Sequence, residues 1–134
     1  MKLTIDSSVL VAAFVKSELR SDSAYALIQN IIENHHEVII PITVLIESIL
    51  AISRRANKKL ALETQEFILS LPNIKLVEID FDMALDVIGL GRKTGLKGMD
   101  AIVVHVANEF QAQLATLDRE MSEKKISGVQ VYSF

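Results

Sequence analysis

The chain reads as an α/β fold, a mostly parallel sheet with helices on both faces, and three observations predict it. Short apolar, β-branched runs alternate with longer segments of helical spacing, the pattern that right-handed strand–helix–strand crossovers require. Half of the 134 residues are hydrophobic and 23% are charged, which suits a packed core rather than disorder. Asp6 and Asp118 each stand where a strand hands over to a helix, the edge of an open α/β sheet at which ligands bind. At this length one domain over residues 1–134 is expected, large enough to bury most of its apolar surface.

Leu3 and Ile5 flank β-branched Thr4 in a first short strand. Asp6-Ser7-Ser8 supplies N-cap side chains for a helix over residues 7–16. A polar connection over 17–23 leads to Ala24, Leu27, Ile28, Ile31 and Ile32 at helical spacing, closed by Asn34-His35-His36. Residues 37–40 make the second strand, and Pro41 suits the first turn of a helix over 42–55 with Leu45, Ile46, Ile49 and Leu50 on an apolar face. After a turn at Asn57-Lys58-Lys59, residues 60–71 form a further helix, which Pro72-Asn73 breaks. The third strand covers 74–79, and a helix over 80–93 places Ala84, Leu85 and Ile88 on one side, with Gly89 and Gly91 weakening its last turns. A glycine-containing loop over 94–98 precedes a buried helix from Met99 to about Phe110. The fourth strand spans 113–117, a short helix 119–125, and a fifth strand 129–132. There is no internal repeat, linker or low-complexity segment.

The composition narrows the function classes. A formal net charge of −3 is not that of a general nucleic-acid coat protein, unless clustered acids hold a cation that reverses the local sign. With no cysteine there is no disulfide framework, thiolate nucleophile or Cys-based zinc site. Aromatic residues make up 5% and tryptophan is absent, against a platform of stacked bases. Asp6 interrupts the N-terminal apolar stretch and Lys16 closes it, which is no export signal, while the apolar stretch over 38–52 contains Pro41 and Glu47 and is too short for a bilayer. The expectation is a soluble, cytoplasmic protein.

Two further acids are awkwardly placed. Glu47 lies in an otherwise apolar helix, and Asp100 stands in the first turn of a hydrophobic one. Each acid has a bland reading: Asp6 and Asp118 as helix caps, Glu47 in a solvated stripe with Thr43 and Arg54, Asp100 as an acid stabilised by the helix dipole. Jointly they point elsewhere, because two strand-end acids and a helix-start acid can converge on one crevice.

Four blocks, Ile5-Asp6-Ser7-Ser8-Val9-Leu10, Pro41-Ile42-Thr43-Val44-Leu45-Ile46-Glu47, Leu96-Lys97-Gly98-Met99-Asp100-Ala101 and Ala115-Thr116-Leu117-Asp118-Arg119-Glu120, resemble those of a PIN domain, most closely the VapC-type toxins of toxin–antitoxin pairs. The resemblance implies a three-layer α/β/α fold with a central five-stranded parallel sheet ordered 3-2-1-4-5, which sets Asp6 beside Asp118. It also implies that Asp6, Glu47, Asp100 and Asp118 are the catalytic, metal-holding set, with Ser8 and Thr116 supporting them and Glu120 a looser match outside the core. The implied activity is hydrolysis of RNA phosphodiesters by a ribonuclease using Mg²⁺ or Mn²⁺, ions that prefer oxygen ligands. A small antitoxin and a second copy of the chain are the implied partners.

His35, His36 and His105 lack placed partners for a metal-free mechanism. Of the cations Lys16, Arg20, Arg92, Lys93 and Lys97, the last is the best candidate for a phosphate contact, lying in the loop before Asp100. Two other functions stay open: a non-catalytic binding scaffold of the same fold, and a phosphoacceptor signalling domain. The latter would carry paired acids after its first strand, where Asp6 stands alone.

Overall fold

Strands β1 (Lys2–Ile5), β2 (Glu37–Pro41), β3 (Ile74–Val77) and β4 (Gln113–Ala115) form one parallel sheet ordered β3-β2-β1-β4 in the computed structural model, which describes every residue except Lys125 and Ser127. Between them run α1 (Ser7–Phe14), α2 (Ser21–Glu33), α3 (Ile42–Arg55), α4 (Lys58–Ser70), α5 (Phe81–Thr94), α6 (Gly98–Glu109) and α7 (Arg119–Glu123). The predicted class therefore holds: an α/β fold with a parallel sheet covered by helices.

β1 is an interior strand, and its Leu3, Thr4 and Ile5 are all buried, as both-sided burial in a parallel sheet demands. Successive residues of β2 serve opposite faces. Val38 and Ile40 pack with Ile28 and Ile31 of α2 and Ile68 of α4, while Ile39 meets Val106 of α6. Pairing of Leu3, Thr4 and Ile5 with Gln113, Leu114 and Ala115 brings the carboxyl ends of β1 and β4 side by side. This register carries the site, because Asp6 follows β1 directly and its N–H donates to Ala115 O at 3.0 Å.

The fifth strand expected over 129–132 is reduced to one parallel bridge, Leu114 to Val131, beside β4 as the order 3-2-1-4-5 requires. Leu114 N–H donates to Gln130 O and Tyr132 N–H to Leu114 O, each at 2.8 Å. β4 has only three residues to pair with, and the segment enters from a left-handed turn at Gly128 (φ +85°), so no longer ladder forms. Pro41 also differs from expectation: it ends β2 and caps α3 from an extended conformation instead of entering the first turn. On α3 the buried side is Val44, Ser48, Ala51 and Ile52, leaving Ile46 and Leu50 more than half exposed at 53% and 54%. On α5 only Val87 is buried. Lys125, expected in the last helix, lies outside the described residues. Among the described residues no helix is long and apolar enough to cross a membrane.

Candidate active site at the ends of β1 and β4

Asp6 and Asp118 occupy the N-cap positions of α1 and α7, yet their side chains do different things. Asp118 Oδ1 accepts from Glu120 N–H at 2.8 Å, an ordinary cap. Asp6 makes no cap hydrogen bond. Its Oδ2 instead accepts from Ser8 Oγ at 2.8 Å and from Thr116 Oγ1 at 3.1 Å. Each hydroxyl also accepts a backbone N–H from the segment after β4: Leu117 to Ser8 Oγ and Asp118 to Thr116 Oγ1, both at 3.0 Å. Two hydroxyls thus lock the acid of one strand end to the backbone of the other, using both their donor and acceptor capacity.

Asp6 is buried, and loss of solvent raises its pKa against the lowering effect of the Ser8 and Thr116 hydrogen bonds. Glu47, in the second turn of α3, is half-buried, and its Oε1 accepts from Ser7 Oγ. Asp100 stands in the first turn of α6. Burial, then the charges of Asp6, Asp118, Glu47 and Glu120, push its pKa up to about 6. The four predicted acids are therefore near enough to feel one another, and the N-termini of three helices (α1, α6 and α7) face them with partial positive charge. Among the described residues none of the four forms an ion pair with Lys, Arg or His.

A donor set made of carboxylate oxygens without a cationic partner fits a hard divalent cation. Among the described residues no three His, Cys, Asp or Glu side chains close up tightly enough to grip an ion directly. Mg²⁺ keeps several of its waters, so a wider ring of acids fits it through water bridges.

Two troughs meet at these acids. One, of about 420 Å³, is lined by Asp6, Glu47, Asp100 and Asp118 together with Ser7, Glu18, Arg54 and Arg55. The other, of about 690 Å³, shares Glu47, Asp100 and Asp118 but is otherwise mostly apolar, with Ile79, Val87, Ile88, Met99 and Ile102. Lys97 lies on this apolar trough. The histidines line neither; His105 sits 3.5 Å from Glu109 on its own helix. Glu120 contributes the last of the repulsions on Asp100 while standing 3.7 Å from Lys124.

Ser7 and Arg54 are the residues that sequence reasoning passed over as site members. Ser7 was legible only as the neighbour of Asp6. Arg54 was legible as the position seven after Glu47, two helical turns along the same stripe.

The PIN domain family model matches residues 3–126. No curated protein matches the chain by sequence. Among solved structures, VapC20 of Mycobacterium tuberculosis, described as a toxin cleaving the sarcin–ricin loop, superposes with a TM-score of 0.74 at 17% identity, covering 90% of this chain and 93% of that one. VapBC2 of Rickettsia felis, bound to a DNA fragment from its promoter, gives 0.72 at 18% identity and 98% coverage of both chains. A toxin–antitoxin complex from Klebsiella pneumoniae gives 0.68 at 19% identity, covering 98% and 99%. At such identities the likeness speaks for the fold.

Proposed function

The chain belongs to the PIN domain family, and from that premise we propose that it is a divalent-metal-dependent endoribonuclease, the toxin of a toxin–antitoxin pair. The observation that carries the reading is the set of four acids, without ion-pair partners among the described residues, at the joined ends of β1 and β4. The naming of several structural neighbours as VapC toxins or toxin–antitoxin complexes supports it. In the same proposal the partners are a small antitoxin and a second copy of the chain, and the location is cytoplasmic.

Asp6, Glu47, Asp100 and Asp118 would hold the cation, Mg²⁺ or Mn²⁺. When bound, it supplies a water of lowered pKa and offsets charge on the phosphate. Ser8 and Thr116 fix the Asp6 carboxylate by donating to its Oδ2, so the group is held without searching rotamers. Ser7 does the same for Glu47 through Oε1. Asp118 spends Oδ1 on its cap, which leaves Oδ2 for the cleft. Lys97 stands on the neighbouring apolar trough as a candidate phosphate contact.

The test is cleavage of end-labelled structured RNAs with Mg²⁺, Mn²⁺ or chelator, by wild type and by Asp100→Asn. Metal-dependent cutting lost in the variant, with 5′-phosphate and 3′-hydroxyl ends, is expected. Cyclic 2′,3′-phosphate ends, or no cutting by folded, partner-free protein with either cation, would overturn the reading.

A further inference from the structure

RNA entering an acidic crevice brings phosphates toward carboxylates, so the approach needs positive charge beyond the cation at the cut. The polar trough holds two arginines at the end of α3, and they are not equivalent. Arg55 Nη1 is 2.6 Å from Glu18 Oε1, a pair that ties the connection between α1 and α2 to the end of α3 and makes the trough's far wall. Arg54 has no ion pair or hydrogen bond among the described residues. It stands two turns beyond Glu47 on α3, about 10 Å along the helix axis, with Ala51 between them on the trough floor. The small side chain at Ala51 leaves the way open from the acids to the guanidinium.

We infer that Arg54 binds a phosphate of the RNA next to, but not at, the scissile position, and so sets the side from which the strand enters the site. The inference rests on the ribonuclease reading and gives it a direction: the strand runs through the polar trough, along α3, before it reaches the acids. A guanidinium suits the task because its planar fork grips two phosphate oxygens at once. Arg55, already engaged by Glu18, shapes the trough instead of binding the strand.

The test uses the full chain carrying Asp100→Asn, so that RNA survives, and a fluorescent single-stranded RNA titrated at several salt concentrations. Adding Arg54→Gln is expected to weaken binding roughly five- to tenfold and to reduce the slope of log K against log salt by about 0.7, the value for one phosphate contact on a single strand. Arg54→Lys should keep the salt slope while recovering part of the affinity. In the cleaving protein, Arg54→Gln should raise KM and leave kcat within about twofold. An unchanged slope and affinity, in a protein that still cuts RNA, would overturn the inference and leave the ribonuclease standing. Unchanged RNA affinity with weaker hold on a protein partner would assign Arg54 to that partner and equally overturn it. Failure of wild type to bind or cut RNA at all would sink both.

Discussion

Asp6 and Asp118 hold the same position in two adjacent strand–helix units, but only Asp118 earns its place locally. Its carboxylate caps α7, and a helix start with an aspartate needs no further explanation. Asp6 leaves α1 uncapped, is 5% exposed, and takes hydrogen bonds from Ser8 and from a residue 110 positions away, Thr116. A buried, raised-pKa carboxylate without an ion pair costs the fold stability. Local structure accounts for the placement of one carboxylate and not for that of the other.

The largest expected effect separates the two directly. Asp6→Asn should lower metal-dependent RNA cleavage by more than about a hundredfold, beyond the usual loss from removing a ligand's supporting partner. The melting temperature in chelator should stay level or rise, because the amide oxygen still accepts from Ser8 and Thr116 while the uncompensated charge is gone. Asp118→Ala should also lose cleavage, and in addition cost about 1 kcal/mol in chemical denaturation through the missing cap. A large loss of stability in Asp6→Asn would erase the contrast and return Asp6 to a structural role.

A smaller effect is expected where the two acids are joined. Thr116 Oγ1 donates to Asp6 and accepts Asp118 N–H, so Thr116→Val removes one hydrogen bond from the first and strands the backbone donor of the second. Cleavage should fall about ten- to a hundredfold, as for other residues that orient ligands. Stability should fall by about 1 kcal/mol, because the donor left unpaired is part-buried. Thr116→Ser, which keeps the hydroxyl, should restore most of both. A valine variant that cuts normally would show that Asp6 is positioned by Ser8 alone.

What the sequence made legible follows the same division. Alternating strands and helices placed the seven helices and four strands found among the described residues nearly where they lie, because buried parallel strands and helix caps leave local marks such as Val38-Ile39-Ile40 and the Asp118 cap. The four acids were legible as misfits, Glu47 in an apolar helix above all. The fifth strand was not, since Val129 to Tyr132 carries the right residues but β4 offers only three positions to pair with. Nor was the outward side of α3 and α5: Ile46, Leu50, Leu85 and Ile88 share the spacing of core residues, and periodicity cannot tell a buried apolar stripe from an exposed one. Ser7 meets Glu47 only because α3 packs beside α1, and Arg54 lines the same trough for that reason, neither of which a local pattern records.

The smallest expected effect lies in the pH dependence, and it tests whether the acids act as one group. Asp100 titrates at about 6 in the folded protein against 3.8 ordinarily, and Asp6 is raised as well. Between those values the folded chain binds more protons than the unfolded one, so stability must fall as pH rises through that window and level off above it. In chelator the melting temperature should therefore drop from about pH 4 to about pH 6, by an amount kept modest because Asp100 is only partly shielded from solvent. Mg²⁺ or Mn²⁺ should raise the melting temperature more at pH 7 than at pH 5, where a proton competes for the Asp100 carboxylate. Asp100→Asn should flatten both the pH slope and the cation response, whereas Glu120→Gln, which removes the last of the repulsions on Asp100, should barely change them. A metal-free protein that gains stability from pH 4 to 6 would mean that positive charge already balances the acids, and the contrast between Asp6 and Asp118 would then lose its electrostatic cause.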